Sequence, residues 1–322
     1  MNADTLLDPD YAFFFAEPST EWTLATLPAI RGRISANAKT PEMCCAEQRW
    51  TGSGGVRLCI YRPRPMPEAK VLPAILYLHG GGFVLGSPEM NDDYLAALAE
   101  ESQAVIVAVD YRLAPEHPFP APLQDCYTAL AWLLRQGPTL GLDPKKVVIM
   151  GHSAGGGLAA SLALLVRERR EYSVAGLVMI YPMLDHRTGS PAAPTENPTT
   201  GTLNWGRRAN QFCWRCLQGS YALGDGEDFL FSAALAPDLQ GLPRSFIVVG
   251  ALDLFLEEDV DFALKLSRAG VATELHVYPG VPHMFDQYPG RVAELCRNDV
   301  AVALQQIWAQ CFSSCCPSIE VL

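Results

Sequence analysis

Residues 151–155 read Gly-His-Ser-Ala-Gly, between the apolar run 147–150 and a stretch of small and apolar residues. Glycine two positions before and after Ser153 allows a turn too tight for side chains, which pushes the serine hydroxyl clear of a strand end. The helix expected just beyond would bring unpaired N–H groups and a positive dipole end beside it. That environment suits a nucleophile for acyl transfer, in which negative charge develops on a carbonyl oxygen. The pentapeptide alone is a weak signal, so its weight depends on partners elsewhere.

Two further motifs lie upstream. Leu78-His79-Gly80-Gly81-Gly82-Phe83 follows the strand-like residues 74–78, and successive glycines let backbone N–H groups turn inward as an oxyanion hole requires. A purely structural glycine turn is the alternative, which the downstream serine motif disfavours. Residues 110–122 read DYRLAPEHPFPAP. In this order, the three motifs resemble the hormone-sensitive-lipase-like esterases of the α/β-hydrolase fold, over about residues 70–290.

The resemblance implies a catalytic triad of Ser153, Asp253 and His283. Asp253 sits in the loop after strand-like 246–250, and His283 in Gly280-Val281-Pro282-His283-Met284-Phe285 after strand-like 274–278. It also implies an oxyanion hole made by the N–H groups of Gly81, Gly82 and Ala154, with no metal and no organic cofactor. The residue chemistry agrees, since a serine needs a base in reach and the base needs a carboxylate to fix its tautomer. Competing residues have other readings. His79 opens the glycine motif, His117 lies in a Pro-rich segment, His186 falls in an insertion and His276 lies within a strand. Glu257, Glu258 and Asp259 read as charges at a helix start. The chain departs from the family at His152, where most members carry an acidic or small residue, and at Met284, where the family has glycine. Both changes are expected to alter the pocket wall and the pH behaviour.

These residues need a scaffold, and the chain's rhythm supplies one. Apolar runs at 74–78, 104–109, 147–150, 177–181, 246–250 and 274–278 alternate with helical patterns near 92–101, 122–135, 156–170, 257–269 and 291–310. Continuous apolar strands fit burial on both faces, so the reading is an α/β-hydrolase fold: a mainly parallel twisted sheet with helices on both faces. Segments at 47–50 and 56–62, around Gly52-Ser53-Gly54-Gly55, read as an antiparallel hairpin at the sheet edge. The whole chain, 1–322, is expected to form a single domain. Residues 1–40 and 185–235 break the rhythm yet carry Phe13, Phe14, Phe15, Trp205, Phe212 and Trp214, and are expected to form a helical cap over the strand ends.

Composition narrows the partners. At 322 residues, 49% hydrophobic and 18% charged, the chain is an ordinary globular one, and its net charge of −11 argues against nucleic acid. No apolar run reaches membrane-spanning length. The N-terminal MNADTLLDPDYAFFF lacks the basic n-region of a secretory signal, so a cytoplasmic protein is expected. Cys213-x-x-Cys216 has no second pair at zinc spacing, the tail ending Val321-Leu322 fits no prenylation box, and the ten cysteines are expected as free thiols. The expected function is hydrolysis of short- to medium-chain or other small-molecule esters through an acyl-enzyme. A specialised natural-product hydrolase, a lactonase, an acyltransferase, an amidase and a non-enzymatic small-molecule receptor remain open, as does a homodimer.

Overall fold

The computed structural model of the chain describes residues 5–16, 20–44, 46–65 and 71–310. Cys45, Cys311, Cys315, Cys316, the Val321-Leu322 tail, residues 17–19 of the first cap segment and the start of the N-terminal reading lie outside the described residues.

Eight strands form one sheet: β1 (Glu47–Trp50), β2 (Arg57–Tyr61), β3 (Leu72–Leu78), β4 (Val105–Asp110), β5 (Leu142–His152), β6 (Gly176–Ile180), β7 (Ser245–Gly250) and β8 (Thr273–Tyr278). Their spatial order is β1-β2-β4-β3-β5-β6-β7-β8. The hairpin read from the glycine turn is there, with β1 outermost, antiparallel to β2, and Trp50 opposite Arg57. From β4 to β8 the pairing is parallel, with Leu76 opposite Ile149 and Met150 opposite Val178.

Eight α-helices accompany the sheet among the described residues: α1 (Leu27–Asn37), α2 (Asp92–Ser102), α3 (Ala121–Gln136), α4 (Ala154–Arg169), α5 (Arg207–Gln218), α6 (Asp228–Phe231), α7 (Leu256–Arg268) and α8 (Arg291–Gln310). The period-2 geometry of the strands divides the core into two layers. Leu76, Val107, Ile149, Leu177 and Ile247 pack with Leu130 of α3, Leu162 of α4 and Phe262 of α7 on one face. Their neighbours Ile75, Ile106, Val148, Val178 and Val248 pack with Leu95 of α2 and Leu304 of α8 on the other. Both faces of the central strands are therefore buried, which is why they carry no polar alternation, whereas the edge strands β1 and β8 are partly exposed.

The helix after Ser153 begins at Ala154, two residues before the sequence reading placed it. Its first turn carries three consecutive glycines, poor helix formers by propensity. Close approach of other backbone explains them: a Cβ at Gly155 would collide with the Leu78 carbonyl oxygen, and one at Gly157 with that of Met183. Tertiary packing overrides propensity here.

Candidate active site

Ser153 stands at the junction of β5 and α4, with φ +55° and ψ −119°. A non-glycine residue there carries strain on the order of 1–3 kcal/mol. The surroundings hold it in place: its N–H donates to the Ile180 carbonyl at 2.9 Å, and its carbonyl accepts from Gly157 and Met183, each at 3.0 Å. Ser153 is thus clamped between its own helix and the end of β6.

The structure brings together three residues that are distant in sequence. His283 Nε2 lies 2.9 Å from Ser153 Oγ, and His283 Nδ1 lies 2.7 Å from Asp253 Oδ2. All three are buried. Asp253 follows β7, and its Oδ1 accepts the Phe255 N–H at 2.9 Å, which fixes the carboxylate. His283 follows β8; Asn204 donates to its carbonyl at 2.7 Å, while the rings of Tyr181, Phe255 and Trp205 pack around its imidazole at 4.6, 5.0 and 5.9 Å. A carboxylate on Nδ1 sets the tautomer that leaves Nε2 free to take the serine proton.

Gly81 and Gly82 face the serine from the loop after β3, and Ala154 is the first residue of α4. Their backbone N–H groups donate to no protein acceptor among the described residues. Gly81 has φ +115°, and a Cβ there would strike the Leu85 carbonyl oxygen. Behind the loop, His79 Nδ1 donates to the Gly80 carbonyl at 2.7 Å, and the Tyr111 hydroxyl donates to the His79 carbonyl at 2.7 Å. Burial pulls the His79 imidazole below its usual range, which keeps it neutral and structural.

These groups open onto a cavity of about 790 Å³. Its wall includes Phe14, Thr20, Trp22 and Ile30 from the first irregular stretch and residues 201–209 from the second. Trp22 meets Trp205 edge-on at 5.4 Å, joining the two stretches over the sheet. Of the six aromatic residues singled out in these stretches, Phe14, Trp205, Phe212 and Trp214 are buried, whereas Phe13 and Phe15 are 39% and 49% exposed.

Sequence reasoning missed the partnership of His152. It is buried, with Nε2 donating to Asp286 Oδ2 at 3.2 Å and Nδ1 lying 3.0 Å from the Tyr77 hydroxyl. Tyr181 also donates its hydroxyl to Asp286. Burial alone would raise the Asp286 carboxyl, but the hydrogen bonds from His152 and Tyr181 outweigh it and hold the group below its ordinary value. The departure at His152 is therefore matched by a carboxylate three residues after His283. Glu257, Glu258 and Asp259 all lie in the first turn of α7, as the helix-start reading expects, and Glu258 and Asp259 are buried there. Glu258 accepts from the Leu184 N–H at 2.7 Å and from the Thr188 hydroxyl.

The remaining candidates lie apart from this chemistry. His276 bridges Glu274 at 2.9 Å and Asp299 at 3.0 Å on β8 and α8, and His186 packs beside Trp214 and Phe231. Cys44, Cys59, Cys126, Cys213, Cys216 and Cys296 are free thiols. Cys213 packs where a Cβ on Gly82 would come within 2.7 Å of its sulfur. Burial pushes the Cys213 thiol well up, which disfavours the reactive thiolate. No helix among the described residues is long and apolar enough to cross a membrane.

Comparison with known proteins gives a consistent picture. Residues 75–287 match a family model described as the α/β-hydrolase fold. The chain is 33% identical over 278 residues to an ethyl acetate hydrolase of Pseudomonas putida, covering 85% of this chain and 86% of that one. It is 34% identical over 247 residues to the carboxylesterase NlhH of Mycobacterium tuberculosis, covering 74% of each. Among solved structures, a bacterial heroin esterase superimposes with a TM-score of 0.82 at 29% identity, covering 95% of this chain and 99% of that one. The esterase LipW of Mycobacterium marinum gives 0.82 at 28%, covering 95% and 97%.

Proposed function

The chain belongs to the hormone-sensitive-lipase-like carboxylesterases of the α/β-hydrolase fold, hydrolases of ester bonds, and from that premise we propose that Ser153, His283 and Asp253 are its catalytic triad. The observation that carries the proposal is the unbroken chain of contacts at 2.9 and 2.7 Å from serine to imidazole to carboxylate. Ser153 Oγ attacks the ester carbonyl as His283 Nε2 takes its proton, and Asp253 stabilises the imidazolium. The N–H groups of Gly81, Gly82 and Ala154 bind the oxyanion, in the dry, preorganised setting where such donors contribute most. His283 returns the proton to the departing alcohol. Water, activated by the same imidazole, then releases the acid and restores Ser153.

Residues 1–40 and 185–235 act as a cap on a single domain, and the aromatic wall they give the cavity supports short- to medium-chain or compact small-molecule esters as substrates. For the cellular setting the reading is a cytoplasmic enzyme, which the six free thiols support, acting on small esters and not on nucleic acid. A homodimer is part of the same reading, and β8 ends the sheet among the described residues.

Kinetics of Ser153→Ala test the assignment. The variant should keep its fold but hydrolyse p-nitrophenyl butyrate about 10³-fold or more slowly, with residual turnover left to the oxyanion hole and binding. A variant working at near wild-type rate would refute the nucleophile.

A further inference from the structure

The cavity that would receive the ester is charged unlike the rest of the chain. The sequence has 35 acidic residues against 24 lysines and arginines. The cavity wall reverses that balance: among the described residues it includes Arg33, Arg207 and Arg208 and neither aspartate nor glutamate. Asp253, the acid of the triad, is fully buried with its Oδ2 on His283.

The three guanidinium groups are not equivalent. Arg207 donates to the carbonyls of Thr200 at 2.9 Å and Asn197 at 2.7 Å, so it is fixed in the wall. Arg33 and Arg208 have no ion-pair or hydrogen-bond partner among the described residues, and both are exposed to solvent. Other arginines of the same segments do find partners: Arg31, on α1 like Arg33, grips both Glu116 oxygens at 2.7 and 2.9 Å, and Arg187 pairs with Asp185 at 2.6 Å. Arg207 and Arg208 also occupy the first turn of α5, which has no acidic residue, although the helix dipole disfavours cations there. Two elements far apart in sequence thus each bring to the same cavity a cation without a partner among the described residues, in a chain whose net charge is −11. A positive wall in a negative molecule draws anions to the cavity and repels cations from it.

We infer that the preferred ester carries a carboxylate away from its scissile bond, bound by Arg33 and Arg208 while the apolar remainder packs against Trp22 and Trp205. This rests on the reading of Ser153 as nucleophile and adds the chemical class of its substrate. The two arginines are separate donors at an exposed wall, so the attraction is moderate and sensitive to salt.

The test is a matched pair of substrates: the p-nitrophenyl hemiester of adipic acid, with its free carboxylate, and the same compound capped as a methyl ester. At low ionic strength the wild-type enzyme should favour the hemiester in kcat/KM by about 5-fold to 10-fold, mostly through KM. The preference should fall towards parity at about 0.5 M NaCl. Arg33→Glu/Arg208→Glu should invert the ratio, and Arg33→Lys/Arg208→Lys should retain part of it. Because each ratio is internal to one protein, a change in the active fraction cancels, and the salt series uses the wild-type enzyme alone. Parity between the two esters at low salt in the wild type would overturn the inference, as would a preference unaffected by both salt and charge reversal. Failure of the underlying reading looks different: Ser153→Ala would hydrolyse both esters at wild-type rate, whatever their ratio.

Discussion

His152 precedes Ser153, and its partner Asp286 follows His283 by three residues, so the two loops that carry Ser153 and His283 are tied together. Tyr181 completes the tie, with its hydroxyl on Asp286 and its ring 4.6 Å from His283. Asp286→Ala would leave both donors buried without their acceptor, at a cost of about 2–5 kcal/mol of stability measured by urea unfolding. The sign with pH follows from the depressed carboxyl: its contribution is present above the ordinary carboxylate range and is lost as pH falls through the lower folded value. The gap between wild type and variant should therefore close in acid, and a gap that stays constant down to the acid limit would contradict an ionised Asp286. The three residues proposed as the triad could be picked out because each sits in a motif whose chemistry is local. The His152–Asp286 pair could not, because no sequence pattern links groups 134 positions apart.

Strands and helices were read closely because two-sided burial writes long apolar runs into the sequence. What residue type does not tell is where packing decides burial. The acidic residues at the start of α7 do begin that helix, but the helix is set against the strand ends, and Glu258 and Asp259 are buried. Neither carboxyl oxygen of Asp259 has a hydrogen-bond partner among the described residues. Burial, with the nearby charges of Glu258 and Asp253, pushes its carboxyl well above the usual range. An acid whose folded value is raised costs nothing while both states are protonated. Above the unfolded value the cost grows by about 1.4 kcal/mol per pH unit while the folded group keeps its proton. Asp259→Asn should accordingly raise the thermal midpoint at pH 7 and have little effect near pH 4. A variant equally destabilised at both values would show that the carboxyl makes a favourable contact instead.

Taken whole, the described residues form a two-faced sheet, and residues from two stretches, 1–40 and 185–235, line the cavity beside Ser153, stretches whose composition promised burial but whose structure could not be read in advance. Residues 185–235 lack a sustained period, and their helices α5 and α6 form by packing Phe212, Trp214 and Phe231 together over the sheet. The proposal rests on one serine hydroxyl, so covalent trapping with a p-nitrophenyl alkylphosphonate is decisive. One equivalent should inactivate the enzyme, and mass spectrometry of the digest should find the phosphonyl group on Ser153, with no adduct formed by Ser153→Ala. A stoichiometric adduct on any other residue, or full inactivation of the alanine variant, would contradict the assignment of Ser153 as nucleophile.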